Sequence, residues 1–406
     1  MRRSEILVGL DLGSSRVKVV VADTADRELP EVLGVGEADS LGIEAGVIVN
    51  MERAALSIRS AVEAAEESAE VDIGRVLVTL DGEHIKGIDS RGVVAASRSG
   101  GEIAKPEVNA VLDAAKTLAL PVGRTILDAR PQEFFVDGQR GIRDPIGMSG
   151  VRLGCKVHIV TASQQSVDNV VRAVRRAGLK LSGMSFKSLA AGTAVLSEDE
   201  KELGVLLVNL GAGTTGLVLY HGGAVRHTAA IGWGAASITS DIAVGLRMPI
   251  AKAEQLKREW GCASASLAED TPIRIPTVGG HPPRESSGQI LATIIEPRVR
   301  EILEMVMNEV SSTDYWGRIP AGVVLTGGGA RLREISSVAE EVFGVGARIG
   351  LPDRVSGHFD AIVDPAHAAA VGMVMSATDH EAARPRPDKP FAETVQRVRQ
   401  WVDSLL

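Results

Sequence analysis

The chain has 406 residues, enough for two domains or for two lobes with insertions. Hydrophobic residues make up 45% of it and aromatic residues only 3%, so its cores must be built from Val, Ile, Leu and Ala, as in parallel α/β sheets. The formal net charge of -8, with no long basic stretch, argues against a nucleic-acid partner. Cys155 and Cys262 lie outside any CxxC or Cys/His cluster, so we expect neither a disulfide framework nor a zinc site, which fits a reducing cytosol. Because no signal-peptide core and no long uncharged apolar run occurs, we expect neither secretion nor a membrane span.

The chain begins with two apolar strands, at 6–10 and 17–22, joined by a turn of small residues. The turn contains Gly13, Ser14 and Ser15. Glycine at such a turn lets the backbone approach a ligand closely and direct its N–H groups at phosphate oxygens. Taken singly, such a turn is more often a plain chain reversal.

The same pattern returns about two hundred residues later, and a third glycine turn follows. The second turn contains Gly211, Gly213, Thr214 and Thr215, and the third contains Gly327, Gly328 and Gly329 after an apolar strand. Two facing turns would clamp one polyphosphate, and the third would let flat backbone pass beneath a nucleoside. Together the three turns predict a nucleotide site.

Between the first two turns, the sequence pattern changes from apolar strands and a helix to short strands separated by many turns. Residues 85–161 show short strands, turns and a helix at 107–120, which predicts an inserted subdomain. We expect helices after it at 164–177 with Ser163 as N-cap, and at 187–196, 235–245, 251–260 and 289–310. Because Pro297 lies inside the last of these, we expect a break or kink near Glu296.

The C-terminal segment is a polar, proline-rich linker followed by an amphipathic helix. The linker spans 379–390 and the helix 391–406. The apolar face of the helix consists of Phe391, Val395, Val398, Trp401, Val402, Leu405 and Leu406. Such a helix often docks on its own protein, but at the end of a linker it is typical of a bilayer interface. One short helix binds a membrane weakly, so we expect several copies to act together in an oligomer.

The whole chain resembles the bacterial FtsA family of actin-like cell-division proteins. The stretches that carry the resemblance are 9–18 (GLDLGSSRVK), 34–38 (GVGEA), 46–52 (GVIVNME), 150–161 (GVRLGCKVHIVT), 278–284 (VGGHPPR), 296–298 (EPR) and 325–330 (LTGGGA). The resemblance implies an α/β, actin-like fold with duplicated ribonuclease-H-like lobes around an ATP cleft. The domain boundaries we then expect are 1–84 with 162–197 (first lobe), 85–161 (insertion), 198–234 with 311–378 (second lobe), 235–310 (its upper subdomain), and the linker and helix given above.

The resemblance also implies roles for individual residues. Asp11 matches the carboxylate on the magnesium side of bound ATP, although a turn-capping Asp would look the same. Gly13, Ser14, Ser15 and Lys18 match phosphate contacts. Glu254 and Lys257 match contacts to ribose or adenine, and a surface ion pair is the alternative.

Two departures from the family pattern concern catalysis. Asn209 stands where relatives usually have the first Asp of the second phosphate turn, and Lys187-Ser188 replaces the Glu-Pro of many relatives. An amide and an ammonium cannot act as a general base toward water. We therefore expect ATP hydrolysis to be slow or absent.

The partners implied by the resemblance are the tail of the tubulin-like ring protein FtsZ, later division proteins that contact the insertion, membrane lipids and other copies of the chain in filaments. The site of action would be the cytoplasmic face of the inner membrane at the septum. By the same resemblance, Arg298 and Arg300 lie in the region that receives the acidic FtsZ tail, although charges on a helix more often form a solvated face. A small-molecule kinase of the same superfold, a type IV pilus assembly protein and a pure scaffold remain as alternatives.

Overall fold

The computed structural model describes residues 5–25, 29–96, 101–117, 120–275, 284–357 and 362–382. The linker from 383 onward, the terminal helix at 391–406 with its seven apolar residues, and most of the 278–284 motif lie outside these residues. Among the described residues, no helix combines the length and the apolar character needed to cross a bilayer.

The first lobe contains a six-stranded sheet. In spatial order its strands are β11 (Lys180–Phe186), β6 (Arg75–Leu80), β1 (Ile6–Leu12), β2 (Arg16–Asp23), β3 (Glu31–Asp39) and β19 (Ser356–Gly357). β1 and β2 are antiparallel, whereas β6 runs parallel to β1. The β1–β2 register places Asp11 opposite Lys18, so both flank the first glycine turn.

The second lobe repeats this arrangement within a nine-stranded sheet. In spatial order its strands are β18 (Ala347–Ile349), β17 (Val323–Thr326), β12 (Val205–Leu210), β13 (Thr215–His221), β14 (Ala224–Ile231), β7 (Lys86–Ala95), β10 (Arg152–Ser163), β8 (Arg124–Val136) and β9 (Gln139–Ile142). β12 pairs antiparallel with β13 and parallel with β17, as β1 does with β2 and β6. The predicted duplication is therefore confirmed. Two short hairpins complete the strands: β4 (Ile43–Glu44) with β5 (Val47–Ile48), and β15 (Pro272–Ile275) with β16 (Arg284–Ser287).

Helices cover the two sheets. They are α1 (Met51–Ala69), α2 (Lys105–Lys116), α3 (Gln164–Arg176), α4 (Lys187–Val195), α5 (Glu198–Leu203), α6 (Ala235–Leu246), α7 (Ile250–Trp260), α8 (Gly288–Ser311), α9 (Ile335–Phe343) and α10 (Ala368–Ala382), with 3-10 turns at Gly328–Arg331 and Pro365–His367. Ser163 caps α3 as predicted, since its hydroxyl accepts a hydrogen bond from the backbone N–H of Ser166. Asn50 caps α1 in the same way through Arg53.

Of the break or kink predicted near Glu296, the break is wrong, because α8 runs unbroken from Gly288 to Ser311 with Pro297 inside it. Proline removes one helical hydrogen bond and crowds the preceding turn. Here tertiary packing outweighs that cost, because one face of the helix is buried along its whole length. The buried apolar residues are Leu291, Ala292, Ile295, Val299, Ile302, Leu303, Val306 and Val310.

The insertion emerges from the first lobe, yet its sheet continues that of the second. The register between β14 and β7 contains one residue pair, Ala229 opposite Lys86. Side chains reinforce this junction. Gln132 donates a hydrogen bond to the Val225 carbonyl at 2.8 Å, and His158 Nε2 lies 2.9 Å from the Thr228 hydroxyl. The predicted inserted subdomain is thus confirmed and is held by both lobes.

The small-residue helix α10 packs closely on α4. A Cβ atom on Gly372 would lie 1.7 Å from the carbonyl oxygen of Ala190, so only glycine allows this approach. α10 also continues through Ala382, four residues into the segment predicted as linker.

Candidate functional site

A cavity of about 780 Å³ is lined by all three predicted turns. From the predicted residues it brings together Asp11, Gly13, Ser14, Ser15, Lys18, Asn209, Gly211, Gly213, Glu254, Lys257, Gly327, Gly328 and Gly329. Lys187 and Arg331 also line it. Residues far apart in the sequence therefore form one site between the two lobes.

Two predicted phosphate contacts have their side chains engaged elsewhere. The Thr214 hydroxyl donates a hydrogen bond to Asp81 at 2.7 Å, and the Thr215 hydroxyl donates one to the Trp233 carbonyl at 2.7 Å. Both residues are buried and neither lines the cavity. Their hydroxyls hold the second turn in place rather than facing a ligand.

The first two turns touch each other across the cavity. A Cβ atom on Gly213 would lie 2.7 Å from Ser14 Oγ and 2.9 Å from the Cα atom of Ala45. Ser14 Oγ in turn accepts a hydrogen bond from the Gly46 N–H at 3.1 Å. The absence of a side chain at Gly213 therefore allows the first and second turns to lie this close together.

The third turn also depends on glycine. Gly327 has φ of 84°, and its N–H donates to the Pro365 carbonyl at 2.9 Å. A Cβ atom there would lie 2.4 Å from Asn209 Oδ1. Flat backbone beside the cavity leaves room for a planar group.

Asp11 is buried at the end of β1 and pairs with Lys187, the first residue of α4. Asp11 Oδ1 lies 3.0 Å from Lys187 Nζ and accepts a hydrogen bond from the Thr79 hydroxyl at 2.7 Å. Burial by itself would raise the pKa of Asp11, but Lys187, Lys18 and Thr79 outweigh it and hold that pKa below its ordinary value. Asp11 is therefore an ionised, already paired carboxylate.

The two lysines of the cavity differ in their surroundings. Burial would lower the pKa of Lys187, yet the carboxylates of Asp11 and Asp81 raise it above its ordinary value. Burial lowers the pKa of Lys18, and repulsion from the Lys187 ammonium lowers it further. The opposing effect of the Asp11 carboxylate does not make up for these two. Lys18 donates a hydrogen bond to the Ala366 carbonyl at 2.8 Å, which connects β2 to the 3-10 turn that precedes α10.

Asp81 is a buried carboxylate that the sequence analysis missed. Its Oδ2 accepts the Thr214 hydroxyl and its Oδ1 accepts the Gly82 N–H at 2.9 Å. Burial raises its pKa above the ordinary value, even though Lys187 is close. Asp81 directly follows β6, which runs parallel to β1, so it lies at the same edge of the sheet as Asp11. In the sequence, this position after an apolar strand was the feature that could have pointed to it.

Asn209 presents an unpaired donor. It is buried at the end of β12, lines the cavity, and its Nδ2 group has no partner among the described residues. A buried amide donor without a partner is costly unless a ligand or water completes it. It fits a phosphate oxygen.

Glu254 and Lys257 form both the predicted pair and a wall of the cavity. Lys257 Nζ lies 2.7 Å from Glu254 Oε2 and donates to the Thr239 hydroxyl at 2.8 Å. Thr239 in turn donates to Glu254. The pair is thus an ion pair within hydrogen-bond reach of α6, and its polar atoms adjoin the space left for a nucleoside.

Arg298 and Arg300 lie on α8 away from the cavity, and both are paired. Arg298 contacts both oxygens of Asp241, at 2.6 and 3.2 Å, and lies over the ring of Trp233 at 5.0 Å. Arg300 pairs with Glu296 at 2.9 Å and with Glu341. An acidic peptide would have to displace these carboxylates.

The donor set suits phosphate better than hydrated magnesium. Among the described residues, no group of three or more His, Cys, Asp or Glu side chains is placed to hold a metal ion. Magnesium prefers oxygen ligands, usually one or two carboxylates with water. Here Asp11 already pairs with an ammonium group and Asn209 carries no charge.

Two family profiles match the chain. Residues 206–372 match the profile described as cell division protein FtsA. Residues 82–161 match the SHS2 domain inserted in FtsA, which coincides closely with the inserted subdomain.

Curated relatives cover almost the whole chain. Cell division protein FtsA of Pseudomonas aeruginosa is 38% identical over 99% of this chain and 98% of its own. The protein of the same name from Borreliella burgdorferi is 40% identical over 98% and 97%, and that of Escherichia coli K12 is 36% identical over 91% and 90%.

Solved structures share the fold at lower identity. One is the PilM–PilN type IV pilus biogenesis complex, with a TM-score of 0.63 at 19% identity over 91% of this chain and 98% of that one. Another is MreB5 of Spiroplasma citri bound to ADP, with a TM-score of 0.58 at 14% identity over 94% and 99%. The fold is therefore actin-like, as predicted. From the curated relatives and both profiles, the chain belongs to the FtsA family of cell-division proteins.

Proposed function

We propose that this protein binds ATP between its lobes, polymerises on the cytoplasmic face of the inner membrane at the septum, anchors the FtsZ ring there and recruits later division proteins. The observation that carries the nucleotide part is the cavity lined by three glycine turns, two of which follow the equivalent strands β1 and β12. Family membership supports the role in division.

The phosphates are placed between the first two turns. Gly13, Ser14 and Ser15 supply backbone N–H groups on one side, Gly211 and Gly213 supply them on the other, and Lys18 adds charge. The unpaired Asn209 amide donates to a phosphate oxygen. The nucleoside lies between Gly327–Gly329 and the Glu254–Lys257 pair.

Hydrolysis is slow in this proposal because the two buried carboxylates, Asp11 and Asp81, are already engaged. Asp11 is paired with Lys187, and both oxygens of Asp81 accept hydrogen bonds. Neither of these two carboxylates is then free to orient water near the terminal phosphate. The nucleotide acts chiefly as a structural ligand that controls assembly.

Membrane attachment is assigned to the amphipathic segment 391–406. The test is sedimentation of the full-length protein with vesicles of phosphatidylglycerol and phosphatidylethanolamine, with and without ATP, while released phosphate is measured in the same tubes. Two variants add the same charge to opposite faces of the segment: Trp401→Glu on the apolar face and Gln400→Glu on the polar face.

We expect ATP-enhanced sedimentation with little phosphate release, lost in Trp401→Glu and kept in Gln400→Glu. Equal loss in both variants would point to general charge repulsion instead of an apolar anchor. A protein that stays in the supernatant under all conditions refutes membrane anchoring and revives the kinase alternative.

Binding of the FtsZ tail is assigned to the α8 region. A synthetic acidic FtsZ-tail peptide should bind the wild type, and Arg298→Ala should weaken it by about tenfold if the arginine exchanges Asp241 for the peptide. Lys252→Ala on α7, an exposed cation, is the control. Unchanged binding in Arg298→Ala places the peptide elsewhere.

The pilus-assembly alternative rests only on the shared fold at 19% identity. The inserted SHS2 domain and the 38% identical relative favour the division role. Later division proteins are assigned to the insertion, which presents exposed apolar side chains such as Val93, Ile146 and Val151.

A further inference from the structure

We infer that Lys187 takes the place of magnesium in this cavity, so that the protein binds ATP through a built-in ammonium ion and without a divalent cation. This inference rests on the proposed nucleotide site. It departs from the magnesium site that the resemblance implies at Asp11.

The position of Lys187 carries the inference. The residue is 8% exposed, it lines the cavity, and its Nζ atom lies 3.0 Å from Asp11 Oδ1. The same Nζ atom lies 3.7 Å from where a Cβ on Gly13 would be, so the ammonium sits beneath the first phosphate turn. A cation is thus already present between the turn and the carboxylate that magnesium would need.

The charges around Asp11 agree with this assignment. The carboxylates of Asp11 and Asp81 both interact with the Lys187 ammonium, and Asp11 also interacts with Lys18, so Asp11 is not an isolated carboxylate that would attract a divalent ion. A magnesium ion at Asp11 would lie within a few ångströms of the Lys187 ammonium and be repelled by it. Phosphate oxygens, by contrast, gain a second cation beside Lys18.

The uncharged side chain of Asn209 also supports this inference. At the equivalent end of β12 it offers an amide donor without a partner among the described side chains. A donor complements a phosphate oxygen directly, whereas a carboxylate at that position would require a bridging cation. Both departures from the family pattern therefore replace acid-plus-metal chemistry with direct contacts to the anion.

The test is calorimetric titration of the full-length protein with ATP, once in excess magnesium chloride and once in EDTA. For the wild type we expect dissociation constants that agree within about threefold. Lys187→Gln should lose about tenfold or more of its affinity in EDTA and recover part of it in magnesium, since the ion then finds Asp11 unpaired. Lys252→Gln, on an exposed site of α7, should behave as the wild type.

The outcomes separate this inference from the proposed function. Binding by the wild type in magnesium but more than about tenfold weaker in EDTA overturns the Lys187 assignment and leaves the nucleotide site standing. No binding in either buffer refutes the nucleotide site itself. The wild-type comparison needs no substitution, so it decides the matter even if Lys187→Gln does not fold, which circular dichroism of the variant would reveal.

Discussion

Gly213→Ala tests whether the spacing of the two phosphate turns sets nucleotide affinity. The added methyl group would meet Ser14 Oγ at 2.7 Å and the Ala45 Cα atom at 2.9 Å. The serine hydroxyl can rotate away, but Ala45 presents backbone, so the second turn must move away from the β4–β5 hairpin, to which Ser14 of the first turn is hydrogen-bonded through Gly46. We expect the strain to cost about 1–3 kcal/mol and ATP to bind about tenfold more weakly.

The assay combines calorimetric ATP titration with thermal unfolding of the nucleotide-free protein. Gly74→Ala is the matched control, because nothing lies within 4 Å of a Cβ at that position and its φ is not in the left-handed region. We expect Gly74→Ala to leave both measurements near the wild type. Wild-type affinity in Gly213→Ala would show that the clamp geometry does not govern binding.

Three further predictions concern stability. Gly372→Ala places a Cβ 1.7 Å from a carbonyl oxygen of α4 and should lower the free energy of unfolding in urea by more than about 3 kcal/mol. The control Gly346→Ala, with open space around its Cβ, should lower it by under about 1 kcal/mol. Equal losses of stability in the two variants would contradict the tight contact. Asn50→Ala removes the cap of α1 and should cost about 1 kcal/mol, and an unchanged unfolding midpoint would show that the cap contributes nothing. Asp11→Asn removes the ion-pair partner of the buried Lys187 ammonium and should cost about 3–5 kcal/mol at neutral pH. Because the pKa of Asp11 is depressed in the folded state, the stability it contributes is fully present above its ordinary pKa of 3.8 and is lost as the pH falls through the lower folded value. The difference in unfolding free energy between wild type and variant should therefore shrink in acid. A difference that does not change with pH would contradict the pairing.

The local features of the nucleotide site were predictable from the sequence. Each glycine turn is encoded within about ten residues, as an apolar strand followed by small residues, and the same holds for the helix cap at Ser163. The duplication of strand and turn was visible for the same reason. The structure confirms the actin-like lobes and the insertion.

Features that depend on tertiary packing were not predictable. The pairing of Lys187 with Asp11 joins residues that are distant in the chain, and only the parallel order of β1, β6 and β11 brings them together. Asp81 escaped notice because a lone Asp after a strand has no distinctive spacing. The helix is not broken near Glu296, one of the two outcomes expected there, because burial of one helix face outweighs the low helix propensity of Pro297.

The junction of the insertion has a mechanical consequence. The chain enters and leaves the insertion from the first lobe, while its sheet is hydrogen-bonded to the second through Ala229 and Lys86. A rotation of one lobe against the other must therefore either disrupt this short junction between β14 and β7 or rotate the insertion together with the second lobe. Gln132 and His158 strengthen the junction through their contacts to β14, so a rotation of the second lobe would carry the insertion with it, and the displacement would grow with distance from the junction.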